Sequence, residues 1–264
     1  MAGVENLNRL LRIFAVVFIV CGAVTAQTSN DARKEVETRV NALLNIHIGI
    51  ENQIPNGWSY AIMPVSMNRA DGDTVVASVH ILFRGVPPGT LFEEQVLPVG
   101  EDKPVSSLGG ISVGKDGTLI CGGRSPEQCR NAAKPDDPIE FTLQALKGEP
   151  HRLLFVSPAG TIGMVIVPNP VSNTNRGCTL SAVRLTPEFD LALITGTGYP
   201  PNTDIHYVAK PGRNVEQIIQ SDGRGVFRFA QIPTAKPDQK SGTLQLKINV
   251  PTCSPEVKYD WGSN

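Results

Sequence analysis

The stretch GTGYPPNT, Gly196–Thr203, sits between two runs of alternating apolar residues, and an echo of it, RGVPPGT, lies at Arg84–Thr90. In both copies the second proline holds φ near −65°, and the residue after it, Gly89 or Asn202, is one that tolerates positive φ. Pro88-Gly89 and Pro201-Asn202 therefore read as the central residues of type II turns. Pro87 and Pro200 precede them, and no proline can donate a ladder hydrogen bond. Each corner must lie at a strand end or edge.

Setting Gly85 on Gly198 aligns the two corners, and the neighbouring sequence follows suit. Upstream, SVHILF and LALIT both read as the strand entering the corner. Downstream, VGKDGTLI matches QSDGRGVF around Asp116-Gly117 and Asp222-Gly223, which are hairpin signals. IEFTLQALKGEP and GTLQLKINVPT each continue as a long alternating strand. The same order occurs twice, as expected of a tandem repeat. The polar run NPVSNTNRG, Asn169–Gly177, breaks the strand pattern and reads as a linker.

Period-two alternation dominates from Trp58 onward. In TVVASVHILF, Val75, Ala77, Val79, Ile81 and Phe83 share a face; in TLQLKINV, Leu244, Leu246, Ile248 and Val250 do. Similar runs separated by turn residues predict a β-sandwich. Composition agrees, with 25 glycines, 21 prolines and only 19% charged residues. The exception is NDARKEVETRVNALLN, where Val36, Val40, Leu43 and Leu44 form one helical stripe, Asn30 or Asp31 is placed to cap it, and Glu35 can pair with Arg39. That helix either packs on its own domain or docks a partner.

The first residues predict export. Arg9 and Arg12 precede the uncharged IFAVVFIVCGAVTA, which ends in small residues at Val24 and Ala26, the pattern of a secretory signal peptide cut after Ala26. This run is shorter than the roughly 20 apolar residues a membrane span needs, so no transmembrane segment is expected after cleavage. A lipoprotein reading of Cys21 meets Val20 where a small residue is wanted.

Without Cys21, four cysteines remain in an oxidising context, and four allow three pairings. The spacing favours Cys121 with Cys129 and Cys178 with Cys253. The first pair closes CGGRSPEQC, and the second ties the beginning of a domain to its end. Loop entropy makes these worth about 2.6 and 4.5 kcal/mol. Zinc is disfavoured because CxxC spacing is missing and no histidine neighbours either loop. Paired carboxylates at Asp71 and Asp73 and at Asp136 and Asp137 could collect calcium but lack an ordered ligand pattern, and turn chemistry accounts for both.

GTGYPPNTDI followed by SDGRGVFRF resembles the secreted bacterial immunoglobulin-like (IPT/TIG-like) repeats, whose pattern runs Gly-x-Gly-aromatic-x-Pro, then Asp-x-x-Gly-x-aromatic. Gly196, Gly198, Tyr199 and Pro201 fill the first part; Asp222, Gly225 and Phe227 fill the second. The first unit departs from the pattern, with Phe83 and Val86 at the first glycine and aromatic positions and CGGRSPEQC inserted. The resemblance implies a sandwich fold and a scaffold, adhesive or binding role on or outside the cell, with no catalytic residues to carry over.

The expected organisation is a signal peptide at 1–26, a helix and connector at 27–57, an immunoglobulin-like domain at 58–168, a linker at 169–177 and a second such domain at 178–264. A net charge of −1 and the lack of a Lys/Arg cluster argue against nucleic acid. No motif calls for a cofactor. His47, His80, His151 and His206 are scattered, and no HExxH or GxSxG occurs. A hydrolase would need His80, His151 or His206 beside a serine or aspartate in a cleft. A carbohydrate-binding module would need exposed coplanar aromatics among Trp58, Tyr60, Tyr199, Tyr207, Tyr259 and Trp261. The leading expectation is a non-enzymatic, exported structural, adhesion or protein-binding module with a protein or cell-envelope partner. The Cys121–Cys129 loop is its expected contact surface.

Overall fold

A computed structural model describes residues 26–70, 73–122, 136–210, 216–233 and 239–262. The signal-peptide segment up to Thr25, Asp71 and most of the CGGRSPEQC loop, Cys129 included, lie outside the described residues. The fold is all-β and sandwich-like, with one described helix and four antiparallel sheets. The chain divides into two compact units. A central unit holds Asn45–Asn169, and a second holds Pro170–Asn264 together with the chain up to Leu44.

Helix α1, Ala26–Glu51, is longer than its apolar stripe suggested. Asn30 and Asp31 fall inside it rather than capping it, because Ala26-Gln27-Thr28-Ser29 contain no breaker. Val40, Leu43 and Leu44 are buried against Leu185, Leu191 and Leu193, whereas Val36, on the same stripe, is 44% exposed.

In the central unit, strands β1 (Ser59–Arg69), β2 (Val75–Arg84) and β6 (Phe141–Ala145) form one sheet in the order β1-β2-β6. Strands β3 (Leu91–Leu97), β4 (Val105–Val113), β5 (Leu119–Cys121), β7 (His151–Ser157) and β8 (Gly160–Ile166) form another, ordered β5-β4-β3-β7-β8. Alternation buries one face of each. Val79, Ile81, Phe83, Phe141 and Leu143 from the first sheet join Phe92, Ile111, Leu153, Phe155, Ile162 and Met164 from the second in one core. Edge-to-face ring contacts run through it, with Phe83 5.4 Å from Phe92 and 5.3 Å from Phe155.

The other unit carries β9 (Val171–Asn175), β10 (Cys178–Arg184), β11 (Ala192–Thr197) and β14 (Phe227–Gln231) in the order β14-β11-β10-β9. Its second sheet has β12 (Asp204–Lys210), β13 (Glu216–Gln220), β15 (Ser241–Asn249) and β16 (Glu256–Gly262) in the order β13-β12-β15-β16. Leu180, Ala182 and Ile194 meet Ile205, Leu244, Leu246, Ile248 and Tyr259 in its core. Within the 169–177 segment, Val171–Asn175 pair with β10 through Cys178↔Asn175 and Ala182↔Val171. Those residues are therefore part of a sheet, joined to β10 by the Arg176-Gly177 turn.

The strand order β13-β12-β15-β16 has the same wiring as β4-β3-β7-β8. Registers correspond too: Ser59↔Arg84 through Pro64↔Val79 in β1/β2 has its counterpart in Thr179↔Thr197 through Arg184↔Ala192 in β10/β11.

Candidate functional site

The Pro-Pro corners lead from one sheet to the other. Gly89 has φ 82° and Asn202 φ 52°, both in the left-handed region. In the first corner, Thr90 closes the turn by donating its N–H to the Pro87 carbonyl at 3.2 Å. In the second, a side chain does that work. The buried Ser221 hydroxyl donates to the Pro200 carbonyl at 2.6 Å and accepts the Thr203 N–H at 3.0 Å. The backbone around both corners is bonded alike. Gly89 N–H reaches the Val113 carbonyl at 2.8 Å, as Asn202 N–H reaches the Asp222 carbonyl at 3.1 Å.

The hairpins after the corners differ from the sequence alignment. The Gly114 N–H bonds the Thr118 carbonyl and the Asp222 N–H the Val226 carbonyl, each at 2.7 Å. This pattern sets Gly117 (φ 89°) opposite Gly225 (φ 72°), so Asp116-Gly117 and Asp222-Gly223 are not equivalent pairs. The loop needs positive φ at its fourth residue and an oxygen for the freed N–H groups, and the oxygen can come from either of two positions. Asp116 Oδ1 accepts the Thr118 hydroxyl at 2.6 Å and N–H at 3.0 Å. Asp222 Oδ1 accepts the N–H groups of Arg224 at 2.8 Å and Val226 at 2.9 Å. Thr118 holds the Asp116 carboxyl below its ordinary value. At Asp222 desolvation works the other way, but the Val226 and Arg224 amides outweigh it and the net shift is downward.

The cysteines serve the core. Cys178, at the start of β10, is bonded to Cys253 between β15 and β16, with Cα atoms 6.2 Å apart. The bridge joins the two sheets of one unit. Cys121 is buried and disulfide-bonded, while its expected partner Cys129 lies outside the described residues.

The four histidines lie on four different elements. His47 is buried in α1 with Nε2 3.7 Å from Glu51 Oε1, and His151 Nε2 is 3.1 Å from the Gln144 carbonyl. Burial lowers the His151 pKa against the pull of that carbonyl and of Glu149. His80 lies in β2 of the central unit and His206 in β12 of the other. Among the described residues no group of three His, Cys, Asp or Glu side chains could hold a metal ion.

Four of the six aromatic candidates are core. Tyr199, Tyr207, Tyr259 and Trp261 are buried, and Trp58 and Tyr60 pack partly buried against the central core. The four buried rings are taken up by packing within the C-terminal unit. Burial pushes the Tyr207 hydroxyl up to about 12 and those of Tyr199 and Tyr259 higher still.

Two shallow depressions mark the surface of the C-terminal unit. One, of about 260 Å³, lies on the outer face of β12 and β15 among Val208, Lys210, Gln245, Lys247 and Asn249. The other, of about 210 Å³, adjoins the disulfide between Arg176 and Ser254. Neither combines a nucleophile with a base.

Ser221 and Arg152 are among the buried polar groups that the sequence reading did not single out. Ser221 looks like any loop serine, and Arg152 looks like a solvated strand position. Arg152 is 1% exposed and donates from Nη2 to the Pro98 carbonyl, and burial pulls its pKa to about 10, so it stays charged at neutral pH. The side chains that make each site are distant in sequence, and no local pattern encodes them.

No family model matches the chain, and no curated protein matches it. No described helix is long and apolar enough to cross a membrane. The fold and its sites define the chain as an all-β, sandwich-like protein.

Proposed function

We propose that the chain is an exported, non-enzymatic structural or protein-binding module made of two immunoglobulin-like domains in tandem, acting in the envelope or outside the cell. The observation that carries this reading is the use made of the chain's special residues. The Pro-Pro corners, the Asp-Gly loops and the Cys178–Cys253 bridge are all committed to turning and clamping strands. Shared strand order and register in the two units support duplication of one domain. The signal-like leader and the disulfide support export.

Expression with the leader intact tests localisation: an exported product beginning at Gln27 is expected, and a full-length cytoplasmic product would overturn it. Binding is tested by pull-down from envelope extract with residues 27–264 as bait. A stoichiometric protein partner, with no glycan-array signal, is the expected result. Hydrolytic turnover that disappears in His80→Ala, His151→Ala or His206→Ala would instead establish an enzyme.

A further inference from the structure

Strand β1 has a neighbour on one side only. The sheet order β1-β2-β6 puts it at an edge, and among the described residues nothing pairs its other side. Its counterpart β10 is covered there by β9. Both strands follow the same kind of turn, with Trp58 N–H bonded to the Pro55 carbonyl at 3.0 Å across Gly57 (φ 81°), and Cys178 paired with Asn175 across Gly177 (φ 87°). The two chains diverge before the turn. In the C-terminal unit the preceding residues run back along β10 as β9. In the central unit they leave toward β8, where the Gln53 carbonyl accepts the Gly163 N–H at 2.6 Å.

The uncovered edge has a defined length. Trp58 directs its N–H away from β2, so alternation along an antiparallel pair aims the N–H and C=O groups of Tyr60 and Ile62 the same way. Pro64 has no N–H to offer, and the β1/β2 register shifts between Pro64 and Ser66. The pairing segment therefore ends at Ile62. Proline and a bulge are the devices that ordinarily blunt an edge, but here they leave Tyr60 and Ile62 open.

We propose that this edge pairs with the same edge of a second copy of the chain, antiparallel about a two-fold axis at Ala61. Tyr60 of each copy then faces Ile62 of the other, all four outward donors and all four acceptors are used or flank the ladder, and Pro64 falls beyond it. Side chains support a like partner. Of the ten exposed large hydrophobics among the described residues, Met63, Val65 and Met67 lie on this strand, at 38%, 48% and 62% exposure. Antiparallel pairing about Ala61 sets Met63 of each copy across from Ser59 of the other, with Val65 and Met67 following at both ends of the paired segment. Every residue from Asn52 to Asn68 is uncharged, so like charges do not oppose the approach.

Light scattering of the purified protein over a concentration series, together with Ala61→Cys cross-linking, tests the pairing. Facing residues on the axis bring their Cα atoms to about 4.5–5.5 Å, within disulfide reach. Ala61→Cys should yield a disulfide-linked dimer, while Thr142→Cys, exposed on β6 of the same sheet, should not. Val65→Lys with Met67→Lys should weaken dimerisation at least tenfold without changing the thermal unfolding midpoint. A monomer at every concentration, cross-linking at Thr142→Cys as readily as at Ala61→Cys, or a dimer indifferent to the two lysines would overturn the proposal.

Discussion

Asn202 does with a side chain what Gly89 does without one. At φ 52° an asparagine is tolerated because its short polar side chain can bond locally, whereas a β-branched side chain crowds its own carbonyl. Asn202→Gly should leave stability within a few tenths of a kcal/mol, and Asn202→Val should lower it by about 1–2 kcal/mol, as read by urea denaturation. Asp222 gives a pH signature. Its folded-state pKa lies below the ordinary aspartate value, so its contribution is present above that value and is lost as pH falls through the folded one. Wild type should therefore exceed Asp222→Asn in stability at pH 7, with the gap closing on titration toward pH 2. A gap that persists in acid would show that the carboxylate's charge is not what holds the loop. Turn-forming residues were legible at this scale because φ and side-chain reach are local properties. The pairing of Ser221 with Pro200 and Thr203 was not, since it spans the whole of β12 and β13.

At the level of elements, glycine sets how closely strands and turns approach. A Cβ on Gly225 would lie 1.9 Å from the Tyr199 carbonyl oxygen, at φ 72°, and one on Gly117 would lie 2.3 Å from that of Phe83. Gly225→Ala combines a backbone clash with an unfavourable φ and should cost at least ~2 kcal/mol in denaturant unfolding, more than either effect alone. Alternation in TVVASVHILF and TLQLKINV marked the buried faces correctly, because one sheet face must meet the core. Helix α1 was marked by its stripe but not by its length: the buried face continues at helical spacing through His47 and Ile50, but a histidine interrupts the apolar pattern that marks it. Alignment of the two Asp-Gly pairs failed for a related reason. Residue identity matched them, but the hydrogen bonds place Gly114 and Asp222 at the same position of the loop.

For the whole molecule, the Cys178–Cys253 bridge is the longest-range covalent constraint described, spanning 75 residues. In the loop-entropy model its reduction should destabilise the C-terminal unit by about 4.5 kcal/mol. Hydrogen exchange should localise the loss to residues 170–264, with central-unit strands such as β7 keeping their protection. Equal loss of protection in both units would show that they unfold together. All-β class, turn positions and core faces follow from the sequence by itself, because proline, glycine and alternation act over a few residues. Tertiary structure alone decided that Val171–Asn175 is a strand, that Arg152 is buried, that four aromatic candidates are core, and that β1 lacks the neighbour β10 has. Each of those depends on which distant segment lies alongside, and that choice is made by the packing of whole sheets.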